Sequence, residues 1–107
     1  GDDLCADPGT DVLAAADGVV VQAAEHYSLG NFVVIDHGTN SEGYSWRTLY
    51  AHLQSSIVQT GQRVVQGQLI GYVGSTGRSS GNHCHFEIRR NGSYIAPQNV
   101  FNRSKYR

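Results

Sequence analysis

The chain has 107 residues, 39% of them apolar and 16% charged, with 13 Gly, 2 Pro and no Met, a length that supports one compact core and excludes a second. Eight basic against nine acidic side chains give a formal charge of −1. That balance excludes the highly charged, weakly hydrophobic class of disordered chains, and it argues against a nucleic-acid partner, whose phosphates require a Lys/Arg excess. No apolar run approaches the roughly 18 residues of a membrane helix, and no basic start followed by an apolar centre marks a secretory leader. The expectation is a soluble domain without a membrane span, already processed.

Short runs rich in Val, Ile, Tyr and Thr alternate with Gly-bearing turns, the pattern of antiparallel β structure. In chain order they predict strands over residues 12–14, 18–24, 32–36, 46–53, 56–58, 69–73 and 83–89, then a one-turn helix over 97–102 that starts at a proline. Residues 103–107 read as a polar tail. The expected core is Val19, Val21, Val33, Ile35, Leu49, Leu53, Ile70, Val73, Phe86 and Ile88.

Side chains two apart on a strand share a face. Over 83–89, Cys84, Phe86 and Ile88 form an apolar face, which leaves His83, His85 and Glu87 on the other. Over 46–53, Trp46, Thr48, Tyr50 and His52 share a face opposite Leu49, Ala51 and Leu53, so His52 also points away from the aliphatic side. Paired imidazoles on one strand face begin many metal or acid–base sites, and hydrolytic zinc needs three protein ligands plus an open position. An HxH pair alone is equally the mark of two half-buried histidines. Its position after the Gly- and Ser-rich loop 75–82 favours the site.

These residues carry a resemblance over nearly the whole chain. Gly30-Asn31-Phe32 leads to Asp36-His37-Gly38; Tyr50-Ala51-His52-Leu53 follows, then a glycine-punctuated stretch over 61–77, then Gly81-Asn82-His83-Cys84-His85-Phe86-Glu87. In that order they resemble the lysostaphin-like, LytM-type zinc endopeptidases that cut peptidoglycan. The resemblance implies an all-β fold: one antiparallel β-sheet or sandwich domain with an open groove, related in shape to the biotinyl and lipoyl barrel-sandwich folds. It implies a Zn2+ cofactor with Asp3 and His85 as ligands, and His52 and His83 as the histidines that handle the water and the developing oxyanion. Asn31, Thr48, Tyr50 and Asn82 are the expected substrate contacts. The groove walls are expected at 27–31, 39–45 and 75–82. The substrate would be a stem or cross-bridge peptide of peptidoglycan, met outside the cytoplasm or on a phage particle by a monomeric domain.

One family ligand has no counterpart. Gly1-Asp2-Asp3 matches the end of an H-x-G-x-D motif whose His would fall two positions before Gly1, so the domain is expected to be truncated on its N-terminal side. The alternative is a catalytically silent relative that binds cell wall or activates another hydrolase. A carrier domain is disfavoured, because the sole lysine, Lys105, lies in the tail and not at a hairpin tip. His37 and Asp36 read as turn residues, and His26 has no motif behind it. Glu87 reads either as a partner that orients a ligand imidazole or as half of a cross-strand pair with an arginine. Alternation puts Cys5 and Cys84 on different faces, so a disulfide between them requires a bend.

Overall fold

The computed structural model describes residues 9–76 and 85–91 with their side chains, and the main chain of 2–5, 83–84 and 93–95. Among the described residues, nine strands form one antiparallel sheet: β1 (Asp2–Cys5), β2 (Asp11–Leu13), β3 (Gly18–His26), β4 (Gly30–Thr39), β5 (Ser45–Ser56), β6 (Arg63–Val64), β7 (Leu69–Val73), β8 (His83–Arg90) and β9 (Ser93–Ile95). The described residues contain no helix, so none is long and apolar enough to cross a membrane. The expected helix over 97–102 lies outside the described residues, as does the polar tail. The all-β expectation holds. The predicted strand over 56–58 instead merges at Ser56 with β5, while β1, β6 and β9 were not among the predicted runs.

The main path runs β1-β8-β5-β4-β3-β6, and β7 joins a different stretch of β5 while carrying β2 on its other side. β5 is therefore the spine. One of its edges pairs with β4 from Ser45 to Leu53. Along the other edge, Trp46–Ala51 pair with β8, and from Leu53 onward the partner is β7. Changing partners half-way along one strand requires a bend, and β5 supplies it with an extra residue. Asn31 and Val33 of β4, two apart, face Leu53 and Tyr50 of β5, three apart. Such a bulge leaves a residue unpaired and re-aims the side chains beside it.

The core is built from Val12, Val20, Val33, Ile35, Tyr50, Leu53, Val64, Ile70, Val73, Phe86 and Ile88. Two alternations differ from expectation. On β3, Val20 is fully buried while Val19 and Val21 are half-buried, because a run of three valines carries no period of its own. On β5, Thr48 and Tyr50 lie inward, at 0% and 2% exposure, and Leu49 is half-buried. Tyr50 packs its ring against Phe86, with centroids 5.3 Å apart.

Burying those hydroxyls requires hydrogen-bond partners. Ala15 N–H donates to the Tyr50 hydroxyl at 2.9 Å, and Thr48 Oγ1 donates to it at 2.8 Å. His37 Nε2 lies 2.7 Å from Thr48 Oγ1, and its Nδ1 lies 2.7 Å from the Asp17 carbonyl. His37 is thus a link in a polar chain behind the sheet, not a turn residue. Asp36 does serve locally: its Oδ1 accepts Gly38 N–H at 2.7 Å, and its Oδ2 lies 3.2 Å from Arg47.

Burial pushes the His37 imidazole below its ordinary value, against the raising influence of the Asp17 carbonyl and of the Asp36 and Asp17 charges. The unfolded chain therefore takes up this proton first on acidification. The contribution of neutral His37 is complete above about pH 6.5 and is lost as pH falls toward the lower native value. The melting temperature should drop between pH 7.5 and 5.5, and the drop should be shallower in His37→Gln. Parallel profiles would show that the imidazole carries no pH dependence.

Candidate active site

The bulge in β5 decides where His52 goes. Strict alternation would group His52 with Tyr50 on the core face, but the extra residue moves it to the face of Ala51, the register partner of His85. His52 adopts φ 59°, in the left-handed region that histidine enters more readily than most side chains but still at a cost. Its ring ends edge-on to that of His85, with centroids 6.2 Å apart. Sequence alternation reached the correct solvent-facing side for His52 by grouping it with the wrong neighbours.

Each ring is anchored by an acceptor, which fixes its tautomer. His52 Nδ1 lies 2.7 Å from the Thr76 carbonyl, so Nδ1 carries the proton and Nε2 is the lone-pair nitrogen of the neutral ring. His85 Nε2 lies 2.7 Å from Glu87 Oε2. Burial raises the Glu87 carboxyl, but the hydrogen bonds from His85 and Arg89 outweigh it and hold the group below its ordinary value. An ionised carboxylate only accepts, so His85 Nε2 carries a proton, and in the neutral ring the lone pair is on Nδ1. Glu87 Oε1 accepts from Arg89 Nε at 2.9 Å and also from its terminal nitrogen. Glu87 does hold the His85 imidazole, but the expected cross-strand arginine is corrected: its arginine is Arg89, two residues along the same strand, and Leu49 is its register partner on β5.

The other expected residues fall into three groups. Asp3 is the register partner of His85 across β1 and β8, and His83, two positions before His85, is the partner of Cys5. Cys84 pairs with Leu4, so the two cysteines are not register partners. Among the described residues no cluster of three metal-ligating side chains occurs; the side chains of Asp3 and His83, and all of Asn82, lie outside the described set. Thr48 and Tyr50, expected to touch substrate, are corrected to core residues, because their hydroxyls are buried and committed to His37 and Ala15. Asn31 spends its amide nitrogen on the protein itself, donating to the Gln54 carbonyl at 3.0 Å.

The expected wall at 39–45 is also corrected. Thr39 pairs with Ser45, and Asn91 N–H donates to the Ser45 carbonyl, at the end of β5 where Arg90 stacks over Tyr44 and Trp46. From Ser45 to Ala51 is about 20 Å of strand at roughly 3.4 Å per residue. By contrast, the turn before Gly30 abuts the site: His52 N–H donates to the Leu29 carbonyl at 2.7 Å. Thr76 stands inside the loop expected as a groove wall over 75–82, but the sequence does not single it out as a partner of His52.

Comparison with known proteins follows this geometry. The model of peptidase family M23 matches residues 1–97. The chain belongs to that family. It is 43% identical over 100 residues to the peptidoglycan DD-endopeptidase ShyC of Vibrio cholerae, an alignment covering 94% of this chain and 22% of that protein. It is 45% identical over 100 residues to the DD-carboxypeptidase/endopeptidase Mpg of Neisseria gonorrhoeae, with the same coverage of 94% and 22%. The chain thus spans about a fifth of the length of these relatives. The catalytic domain of lysostaphin from Staphylococcus simulans superposes with a TM-score of 0.78 at 31% identity, covering 91% of this chain and 74% of that one. A zinc-containing peptidase from Vibrio cholerae gives 0.81 at 34% identity, over 89% and 28%. The resemblance to lysostaphin-like peptidases holds in family and in fold.

The depressed Glu87 carboxyl has its own consequence. Its ionised form stabilises the fold above about pH 4.5, and that contribution is lost as pH falls through the lower native value. Glu87→Gln should cost about 1–2 kcal/mol at pH 7, and the deficit should shrink below about pH 4. Denaturant melts at the two pH values check this; a deficit independent of pH would assign the loss to packing.

Proposed function

We propose that this chain is the peptidase domain of a zinc-dependent endopeptidase that hydrolyses peptide stems or cross-bridges of peptidoglycan. The observation that carries the reading is the pair of anchored imidazoles, His52 and His85, brought onto one sheet face in a chain of family M23. Relatives named as peptidoglycan DD-endopeptidases support the substrate class. That substrate lies outside the cytoplasm, which supports an extracytoplasmic or phage-borne domain.

The donor chemistry fits zinc. A neutral imidazole whose far nitrogen is held by a carboxylate is a ring oriented for a metal, and Glu87 does this for His85. Asp3 stands opposite His85 in the register of β1 and β8, and a carboxylate is a hard oxygen donor suited to the same ion. Asp3 and His85 are therefore the proposed ligands. When bound, zinc supplies Lewis acidity, polarising the scissile carbonyl and acidifying water.

The remaining steps belong to the chain's own groups. His52, its proton held on Nδ1 by Thr76, presents Nε2 as the proton acceptor for the attacking water and returns that proton to the leaving amine. His83, two positions from His85 on β8, is the proposed donor to the oxyanion. Asn82, which precedes it in the sequence, is a proposed substrate contact.

In the natural sequence context, Asp3→Ala and His85→Ala should each abolish stoichiometric zinc and cell-wall hydrolysis, because the site loses a ligand. His52→Ala should retain zinc and fold while losing about 10² or more in rate. Metal analysis and turbidity assays on purified cell walls read both. Zinc retained in His85→Ala would remove it from the ligand set. Wild-type protein without zinc would replace the enzyme with the silent, wall-binding alternative.

A further inference from the structure

Thr76 makes three contacts, each with a different piece of the site. Its carbonyl accepts from His52 Nδ1 at 2.7 Å. Its hydroxyl donates to the Leu53 carbonyl at 2.6 Å and accepts Asn31 N–H at 3.0 Å. It is also pressed against Gly30, where a Cβ would overlap both the Thr76 hydroxyl and its main chain. Gly30 is at φ +67°, so neither the space nor the backbone there admits a side chain readily. Thr76 is thus wedged between the start of β4 and the bend of β5, and its hydroxyl links the strand on one side to the residue after His52 on the other.

We propose that Thr76 is the positioning residue of His52: its hydroxyl pins the β5 bend to β4, and so holds its own carbonyl where it fixes the His52 ring with the lone pair on Nε2. The inference deepens the proposed hydrolysis and rests on His52 being its proton acceptor. A neutral histidine without an anchor exchanges between two tautomers, and only one of them offers Nε2 as a base. Losing the hydroxyl removes the acceptor of Asn31 N–H and leaves the Leu53 carbonyl with the longer Asn31 amide bond of 3.4 Å, so the tie that holds 76 beside 52 is loosened. Misplacement of a reacting group by about 1 Å costs up to about 10²-fold in rate.

The test uses Thr76→Val, which removes the hydroxyl at nearly constant volume, beside Thr76→Ser, which keeps it. Long-range proton–nitrogen NMR of the metal-free protein, with the His52 signals assigned by their loss in His52→Ala, reads the tautomer directly. Wild type and Thr76→Ser should show a single Nδ1–H form, and Thr76→Val a mixture of both. In the zinc-loaded protein in its natural sequence context, Thr76→Val should lower kcat about 10- to 100-fold with KM and zinc content unchanged, and Thr76→Ser should restore most of it. An unaltered tautomer in Thr76→Val, or a Thr76→Ser as impaired as Thr76→Val, would overturn the proposal. If Thr76→Val does not fold, Thr76→Ala takes its place, because it removes the same hydroxyl bonds to Asn31 and Leu53 without placing a methyl where the hydroxyl stood. A single unchanged tautomer there would likewise overturn it. Full turnover in His52→Ala would refute the catalytic role of His52, while the tautomer still decides the role of Thr76.

Discussion

Everything at the site depends on β5 being shared by two neighbours. A strand that pairs with β8 through Ala51 and with β7 from Leu53 cannot remain regular between them, and the one residue in the gap is His52. The bulge, the left-handed φ of His52 and its reversal of face are one event described three ways. Main-chain strain there is tolerated because the surroundings over-determine it: the Leu29 carbonyl takes the His52 N–H, Thr76 takes the ring, and Asn31 ties down the carbonyls that follow.

The regular parts of this fold were legible in the sequence and the irregular ones were not. In β8, alternation is unbroken, so Phe86 and Ile88 were read inward and His85 and Glu87 outward, as found. In β5, Leu49, Ala51 and Leu53 looked like a core face because they are aliphatic. Yet Leu53 reaches the core only through the bulge, and Tyr50 displaces Leu49 by burying a larger ring while Ala15 and Thr48 satisfy its hydroxyl. Periodicity has no means of registering an inserted residue. Nor does it register a buried polar chain whose members, Asp17, His37, Thr48 and Tyr50, come from separate segments.

Candidate site residues divide along the same line. His85 and His52 carry motifs, and the motif order found them. For Glu87 the sequence offers an imidazole or a cross-strand arginine without saying which residue, and the same-strand Arg89 is visible only from rotamers. Thr76 was invisible, because its decisive group toward His52 is a main-chain carbonyl, which any residue could provide; only the wedge against Gly30 distinguishes it.

Strand β8 has a further property. Its outer edge is covered in two pieces, β1 over His83–Phe86 and β9 over Ile88–Arg90, which meet at Glu87. The first and last of the described strands are therefore laid end to end on a common rail. Among the described strands β1 pairs with β8 alone, so the Asp3–His85 pairing closes the loop from residue 3 to residue 85, at an entropic cost set by that length. Any ion held jointly by the two would act as a clasp across that loop and would be captured only when the sheet is complete. Metal occupancy would then report on finished assembly, and an incompletely folded chain would lack the means to cut anything.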